Sequence, residues 1–289
     1  MSLVFACIAP HGGLAIAELC APQDVEVAAA TRRGMEELGR RLDAARPDTT
    51  VVLTPHNVHV EGAMAVVTSG HIEGELREGG ARRGAFEPRA GKRSVLLDVP
   101  NDRDLARAFL ESLRGADIPA VGVSYGGNDA ASAVFPMDWA VLVPLWFMGG
   151  RRSPALPTVV VAPARDLSDE AHVSAGRAMR SAIERSGKRV ALIASCDHAH
   201  AHAADGPYGH SPAAKRFDDL VVDIVRSDDL ARLLSLDRAL IRDGKPDSYW
   251  QMLMLHGALS MPGERWRGEL LSYEAPTYFG MLCAAYAPA

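Results

Sequence analysis

The sequence predicts a single α/β domain with a central, mostly parallel sheet flanked by helices and with a helical C-terminal third. Short apolar runs rich in Val, Ile and Leu, which are typical of buried strands, alternate with longer segments whose apolar residues recur at helical spacing. No internal repeat or low-complexity linker divides the 289 residues. From Pro212 onward the patterns are helical, so we expect these helices to pack against the sheet.

The first elements form a β-α-β unit. Residues 3–9 and 50–53 are predicted strands, and the intervening segment 23–45 is a predicted helix that Pro47 closes. The right-handed crossover rule makes the two strands parallel and places their carboxyl ends at the same edge of the sheet. We expect them to be neighbours in the sheet.

A long irregular segment is expected after the second strand, at residues 70–93. This segment is rich in Gly, Arg and Glu, and its basic residues follow neither helical nor strand spacing. A solvated loop is the simplest interpretation, and a lid or an anchor for an anionic substrate is the functional alternative. The basic residues concerned are Arg77, Arg82, Arg83, Arg89, Lys92 and Arg93.

The remaining segments continue the alternation of strands and helices. Residues 120–125, 158–162 and 190–194 are predicted strands, and residues 140–148 fit either a buried helix or a strand. The predicted helices are 102–114, 168–186, 213–226, 228–234, 237–242 and 248–259.

The composition limits the classes of partner. Hydrophobic residues make up 48% of the chain, charged residues make up 23%, and the formal net charge is -5, so no general attraction for nucleic acid or anionic lipid is expected. The first apolar run is too short to span a bilayer and lacks a basic leader, so no membrane partner is expected. The four cysteines form no CxxC pair, which argues against a disulfide framework and favours a reduced, cytoplasmic protein.

Histidines follow three of the predicted strands directly. They are His11 after residues 3–9, His56 and His59 after residues 50–53, and His198, His200 and His202 after residues 190–194. Ligands of open α/β sheets bind at the carboxyl edge of the strands, where the loops converge. Imidazoles gathered at that edge indicate metal or acid–base chemistry, and His11 and His56 could share one ion.

A third ligand is needed to complete a catalytic metal centre. A carboxylate beside two histidines forms a facial triad, which suits non-heme Fe(II) and leaves positions for substrate and O2. The candidates are Asp247 and Glu274, although Asp247 could instead cap the helix that follows it. His198, His200 and His202 alternate along the chain and could themselves be a ligand set, or one of them could be a general base.

Four short motifs together carry a resemblance to a known family. They are Pro10-His11-Gly12 and Thr54-Pro55-His56, each after an apolar strand, the loop Ser195 to His200, and Val143-Pro144-Leu145 in an apolar stretch. In these features the chain resembles the class III extradiol ring-cleavage dioxygenases, which include the catalytic subunits of protocatechuate 4,5-dioxygenase. The likeness extends from Phe5 to about Ala285 and implies one catalytic domain of this type over residues 1–289.

The resemblance implies roles for individual residues. His11 and His56 match the family's iron-binding histidines, Asp247 matches the neighbourhood of its acidic ligand, and His200 matches its catalytic base. The expected cofactor is Fe(II), and the expected substrates are a catechol-type aromatic compound and O2. Glu274 is expected to orient the substrate or to replace Asp247 as the ligand.

One departure from the family lies at Trp139. Where relatives show Asp-His-Gly, this chain has Asp138-Trp139-Ala140, so a histidine implicated in substrate contact or proton delivery is missing. His59, His198 or His202 could compensate for it. Trp139 could line the aromatic-binding pocket or belong to the core.

Two other functions remain open from the sequence. A zinc or manganese hydrolase would use the His198 to His202 segment, and a non-enzymatic relative resembling the Memo proteins would fit the missing histidine. A homo-oligomer is expected, and the resemblance leaves open whether a small accessory subunit joins, as some relatives require.

Overall fold

A central sheet of eight strands organises the protein. The computed structural model describes residues 2–78 and 93–289. The strands, in chain order, are β1 Leu3–Ala9, β2 Thr49–Leu53, β3 Met64–Val67, β4 His71–Arg77, β5 Ser94–Pro100, β6 Ala120–Val123, β7 Val134–Pro136, β8 Thr158–Ala162, β9 Val190–Ser195, β10 Trp266–Glu274 and β11 Met281–Pro288. The α-helices are α1 Ala29–Ala45, α2 Arg103–Gly115, α3 Trp139–Phe147, α4 Asp169–Ser186, α5 Pro212–Arg226, α6 Arg238–Gly244 and α7 Tyr249–Leu259.

The sheet is parallel at its centre, antiparallel at the edge formed by β10 and β11, and parallel again between β3 and β6 at the other edge. Its order is β10-β11-β1-β9-β2-β8-β3-β6, and β1, β9, β2 and β8 are paired in parallel. The antiparallel pairs are β1 with β11, β10 with β11, and β3 with β8. The prediction that β1 and β2 are neighbours is wrong, because β9 lies between them. This order places the histidine-bearing loop after β9 between the loops that follow β1 and β2.

Helices and a small second sheet cover the two faces of the central sheet. Alternate residues of β1 point to opposite sides, so Ile8 belongs to the core on the side of α2, α4, α5 and α7, whereas Cys7 belongs to the core on the side of α1 and α3. The second sheet, in the order β5-β4-β7, contributes Ile72 and Val99 to the same side as Cys7. The predicted α/β domain with helices on both faces is therefore confirmed.

Local sequence signals explain where the helices begin and end. The Ser168 hydroxyl accepts the Ala171 N–H at the start of α4, and Gly187, with φ +69°, ends that helix. The apolar segment 140–148 is a helix, because the Asp138 carboxylate accepts the N–H groups of Ala140 and Val141. The predicted helix 23–45 begins only at Ala29.

Part of the segment that was predicted to be irregular is a strand. Residues 71–77 form β4, which pairs with β5 and buries alternate side chains, among them Ile72 and Leu76. The prediction that residues 70–93 lack a strand is wrong there, since Glu and Arg on the exposed face obscure the two-residue period. Of the basic residues, Arg77 pairs with Glu75 at 2.9 Å and Arg93 with Glu78 at 2.6 Å. Arg82, Arg83, Arg89 and Lys92 lie outside the described residues.

The C-terminal third contains the predicted helices and ends in two strands. Helices α5, α6 and α7 confirm three of the four helices predicted between residues 212 and 259, whereas the predicted helix 228–234 is a 3-10 helix over Leu230–Ser235. The strands β10 and β11 then extend the central sheet beside β1, which the sequence did not predict. Within the ranges that the structure describes, no helix has the length and apolar character needed to cross a membrane.

Arg180 holds the end of α7 against α4. Its guanidinium is fully buried and donates to Glu184 at 2.6 Å, to Glu264 at 2.5 Å and to the Ala258 carbonyl at 3.2 Å. The same group lies 5.7 Å from the centre of the Trp266 ring. One side chain thus links a helix, a helix end and the start of β10.

We expect Arg180→Ala to lower the free energy of unfolding by about 3 kcal/mol, because it leaves partly buried carboxylates without their cation. Urea denaturation of the variant, followed by circular dichroism, measures this loss. Arg177→Ala, on an exposed position of the same helix, is the matched control and should change stability little. Equal losses in both variants would contradict this role of Arg180.

Candidate metal centre

Two loops and one helix start meet at the carboxyl edge of the central sheet. His11 follows β1, His56 follows β2, and Asp247 precedes α7. One ligand atom from each of these residues lies within 4.8 Å of the other two. The structure therefore brings together the three residues that the sequence predicts as metal ligands.

The distances fit a shared ion. The Oδ2 atom of Asp247 lies 3.2 Å from His11 Nε2 and 3.3 Å from His56 Nε2. Ligand atoms bound about 2.1 Å from one divalent ion are about 3 Å apart along an edge of its coordination sphere. Two imidazole nitrogens and a carboxylate oxygen are a donor set that suits Fe(II).

Asp247 faces the histidines and does not cap α7. Ser248 is the N-cap residue of that helix, whereas the Asp247 Oδ1 atom accepts the Asp197 N–H at 3.0 Å. Burial raises the pKa of Asp247, but the neighbouring His11 and His56 lower it more, so this pKa lies well below its usual range. The carboxylate is therefore charged and available to a cation.

Hydrogen bonds fix the orientation of His11. The Ser195 hydroxyl donates to the Ala140 carbonyl at 2.5 Å, so its oxygen accepts from His11 Nδ1 at 2.9 Å. The Nε2 atom is thereby turned towards Asp247. Burial lowers the pKa of His11, but the carboxylates of Asp197 and Asp247 raise it to about 9. The position of Nε2 therefore favours a bound cation, whether a proton or a metal ion.

We expect Ser195→Ala to weaken metal binding about 10-fold to 100-fold, because outer hydrogen-bond partners fix the tautomer of a ligand histidine. Isothermal titration of the protein with Fe(II) under anaerobic conditions measures the change. Ser181→Ala, at a half-buried position on α4 away from the centre, should leave the affinity unchanged. An unchanged affinity in Ser195→Ala would contradict the orienting role of this hydroxyl.

Asp197 is a part of the centre that sequence reasoning missed. Its Oδ1 atom accepts the backbone N–H of His11 at 3.0 Å, and its Oδ2 atom lies 3.4 Å from His11 Nε2. Burial raises the pKa of Asp197, although His11 acts in the opposite direction. The available signal was its place two residues after the end of β9, beside the histidines.

His200 stands beside the three candidate ligands. Its Nδ1 atom donates to the Lys245 carbonyl at 3.1 Å, which leaves Nε2 as the acceptor. That Nε2 atom lies 3.8 Å from Asp247 Oδ2. The His200 ring is stacked on Phe279, with ring centres 5.4 Å apart. A neutral imidazole in this position can accept a proton from a group bound at the centre.

Aromatic side chains surround His200 and His56. The ring centres of Tyr208 and Tyr278 lie 5.7 and 5.8 Å from that of His200, and the Trp139 ring lies 4.9 Å from that of His56. Trp139 is half-buried and also packs against the core. These tyrosines and Phe279 were not predicted as site residues: Tyr208 lies only six residues after His202, whereas Tyr278 and Phe279 are distant from the histidine motifs in the sequence.

The segment that carries His56 is attached to the start of α3. Asn57, with φ +69°, donates its backbone N–H to the Asp138 carboxylate at 2.6 Å. The Asn57 side-chain oxygen accepts the Asp138 N–H at 2.9 Å. This reciprocal pair sets His56 against Trp139. Sequence reasoning used Asp138 only as part of a motif and missed Asn57.

Four other predicted site residues lie outside the three-ligand cluster. Glu274, on β10, accepts the Thr31 N–H at 2.6 Å, and His59 is exposed. His202 binds Asp218 at 2.8 Å. His198 is fully buried, and its Nδ1 atom is 3.0 Å from the Ser248 hydroxyl. Asp247, and not Glu274, is the carboxylate that the structure brings to His11 and His56.

Comparisons with known proteins show the family of the chain. The family model described as the catalytic LigB subunit of aromatic ring-opening dioxygenase matches residues 5–282. The chain is 24% identical over 278 residues to Protein CA_C1420 of Clostridium acetobutylicum, covering 95% of this chain and 55% of that protein. The chain thus spans about half the length of this curated relative.

A solved structure shares the fold. The uncharacterized protein JW3007 from Escherichia coli K12 superposes with a TM-score of 0.57 at 16% identity, over 98% of this chain and 99% of that one. The family match covers nearly the whole chain and confirms the resemblance carried by the histidine motifs. The chain belongs to the family of catalytic LigB subunits of aromatic ring-opening dioxygenases.

Proposed function

We propose that the protein is a non-heme Fe(II)-dependent extradiol dioxygenase that opens the ring of a catechol-type aromatic compound with O2. The observation that carries the proposal is the convergence of His11, His56 and Asp247 with the ring of His200 beside them. Membership of the ring-opening dioxygenase family supports it. Residues 1–289 then form one catalytic domain.

Fe(II) would be held by His11, His56 and Asp247. When bound, the ion supplies positive charge that lowers the pKa of a catechol hydroxyl and brings the diol and O2 to adjacent positions. Ser195 and Asp197 keep His11 turned towards this position through the side-chain and backbone hydrogen bonds described above.

The chain supplies the base and the aromatic surroundings. His200 accepts a hydroxyl proton at Nε2, because its Nδ1 proton is held by the Lys245 carbonyl. Phe279 and Tyr278 offer ring faces and edges to an aromatic substrate beside His200. Trp139 contacts the opposite ligand, His56, and takes the place of the family's histidine. Glu274, His198 and His202 are proposed to act indirectly, through the residues that they contact.

The assembly and compartment are also proposals. We propose a cytoplasmic homo-oligomer, with an accessory subunit as the arrangement to test where the isolated chain lacks activity.

The alternatives rest on different residues. A hydrolase that binds its metal through His198, His200 and His202 is disfavoured, since the cluster found among the described residues is His11, His56 and Asp247. A Memo-like role without catalysis is favoured by one observation, the presence of Trp139 in place of the family's histidine.

The experiment is anaerobic Fe(II) reconstitution followed by oxygen-electrode assays over a panel of catechols. We expect oxygen uptake that matches the absorbance of a ring-opened product. Full iron loading without uptake would contradict the dioxygenase and favour the Memo-like role. Hydrolysis by the Zn(II)- or Mn(II)-loaded protein under anaerobic conditions would favour the hydrolase.

A further inference from the structure

Asp218 is a fully buried carboxylate outside the metal centre. It lies on α5, and its side chain is 0% exposed. Its neighbour Asp219 is exposed and pairs with Lys215 at 2.6 Å. A carboxylate removed from water is unfavourable unless its oxygens are satisfied by hydrogen bonds. The inward position of Asp218 therefore depends on the groups that donate to it.

Three groups from two other parts of the chain donate to Asp218. Its Oδ1 atom accepts the Ala199 N–H at 2.9 Å. Its Oδ2 atom accepts from His202 Nε2 at 2.8 Å and from the Tyr273 hydroxyl at 2.7 Å. Hydrogen bonds to an ionised acceptor are about twice as strong as those between neutral groups. The carboxylate thus ties the loop after β9 to α5 and β10.

The two donors from that loop flank His200. Ala199 precedes His200, and His202 follows it by two residues. Asp218 therefore accepts hydrogen bonds from the chain on both sides of the proposed base. The Gly280 N–H donates to the Ala199 carbonyl at 3.1 Å. A Cβ atom at Gly280 would lie 2.1 Å from Asp218 Oδ2, so the carboxylate and this second segment are packed against each other without room for a side chain.

We propose that Asp218 is a positioning residue that sets His200 for proton transfer by fixing the backbone on both sides of it. This inference rests on the proposed function, since it assigns Asp218 an effect on turnover that is transmitted through His200. The fixed loop keeps His200 Nδ1 on the Lys245 carbonyl at 3.1 Å and Nε2 at 3.8 Å from Asp247 Oδ2. Misplacing a catalytic group by about 1 Å can lower turnover about 100-fold.

The test is a double-mutant cycle with His200. We expect Asp218→Asn to lower kcat about 100-fold, with Fe(II) content and the KM for a catechol little changed. Tyr273→Phe removes one donor and should cause a smaller loss in the same direction. Asp219→Asn is the matched control and should behave as the wild type. In a His200→Ala background, Asp218→Asn should cause no further loss.

Additive losses in the cycle would overturn the proposal, because they would show that Asp218 acts independently of His200. Amide hydrogen exchange over residues 198–202 gives a second readout, and we expect faster exchange in Asp218→Asn than in Asp219→Asn. Equal exchange in the two variants would also overturn it. If Asp218→Asn fails to fold, Tyr273→Phe replaces it in the double-mutant cycle with His200→Ala. Absence of ring cleavage in the wild type would refute the proposed function, while the exchange comparison would still decide whether Asp218 fixes the loop.

Discussion

Replacing Asp247 with Ala should abolish stable binding of Fe(II). Asp247 supplies the carboxylate oxygen that lies 3.2 Å from His11 Nε2 and 3.3 Å from His56 Nε2. Four-ligand zinc sites bind with apparent free energies of about 10–16 kcal/mol, or roughly 3 kcal/mol per ligand. Loss of one ligand should therefore weaken binding about 100-fold or more. Anaerobic titration with Fe(II) and metal analysis after gel filtration measure this effect.

The thermal shift of the same variant provides an independent check. Metal binding to the folded wild type should raise Tm in proportion to the logarithm of the free metal concentration, whereas Asp247→Ala should lose this response. His71→Ala is the control, since His71 is an exposed histidine that pairs with Asp98 on the small sheet. Stoichiometric iron in Asp247→Ala, with a normal thermal shift, would show that the carboxylate is not a ligand. Glu274→Ala should retain iron.

His200→Ala should retain Fe(II) but lose most of its turnover. A positioned base contributes about 100-fold to 10,000-fold to the rate, and His200 is the histidine whose free nitrogen approaches the candidate ligands without belonging to the three-ligand cluster. Steady-state oxygen uptake with a catechol, normalised to iron content, measures the loss. The contrast with Asp247→Ala separates proton transfer from metal binding.

Matched variants sharpen the assignment of the base. His200→Gln keeps an amide N–H that can donate to the Lys245 carbonyl but removes the basic nitrogen, so its loss should equal that of His200→Ala. His59→Ala, at an exposed position, should leave turnover nearly unchanged. A large loss in His59→Ala combined with normal turnover in His200→Ala would move the role of base to His59.

The strands and the metal ligands could be predicted from the sequence for a physical reason. Strands buried on both faces are continuous apolar runs, so the bounds of β1 and β8 were predicted correctly and those of β2 and β9 to within one residue. The convergence of His11 and His56 followed from the shared carboxyl edge of parallel strands.

The remaining features depend on contacts distant in sequence. The insertion of β9 between β1 and β2 is a choice of sheet order that the local pattern does not contain. Asp218 and Asp219 are adjacent acids on an amphipathic helix, and only the packing of α5 shows which one is buried. Phe279 reaches His200 through the turn between β10 and β11, and that hairpin itself was not predicted.

The most direct test of the metal centre is a crystal structure of the anaerobic, Fe(II)-loaded protein with anomalous diffraction at the iron edge. We predict one anomalous peak within about 2.0–2.3 Å of His11 Nε2, His56 Nε2 and an Asp247 carboxylate oxygen. A peak bound by His198 or His202, or by Glu274 in place of Asp247, would contradict the account.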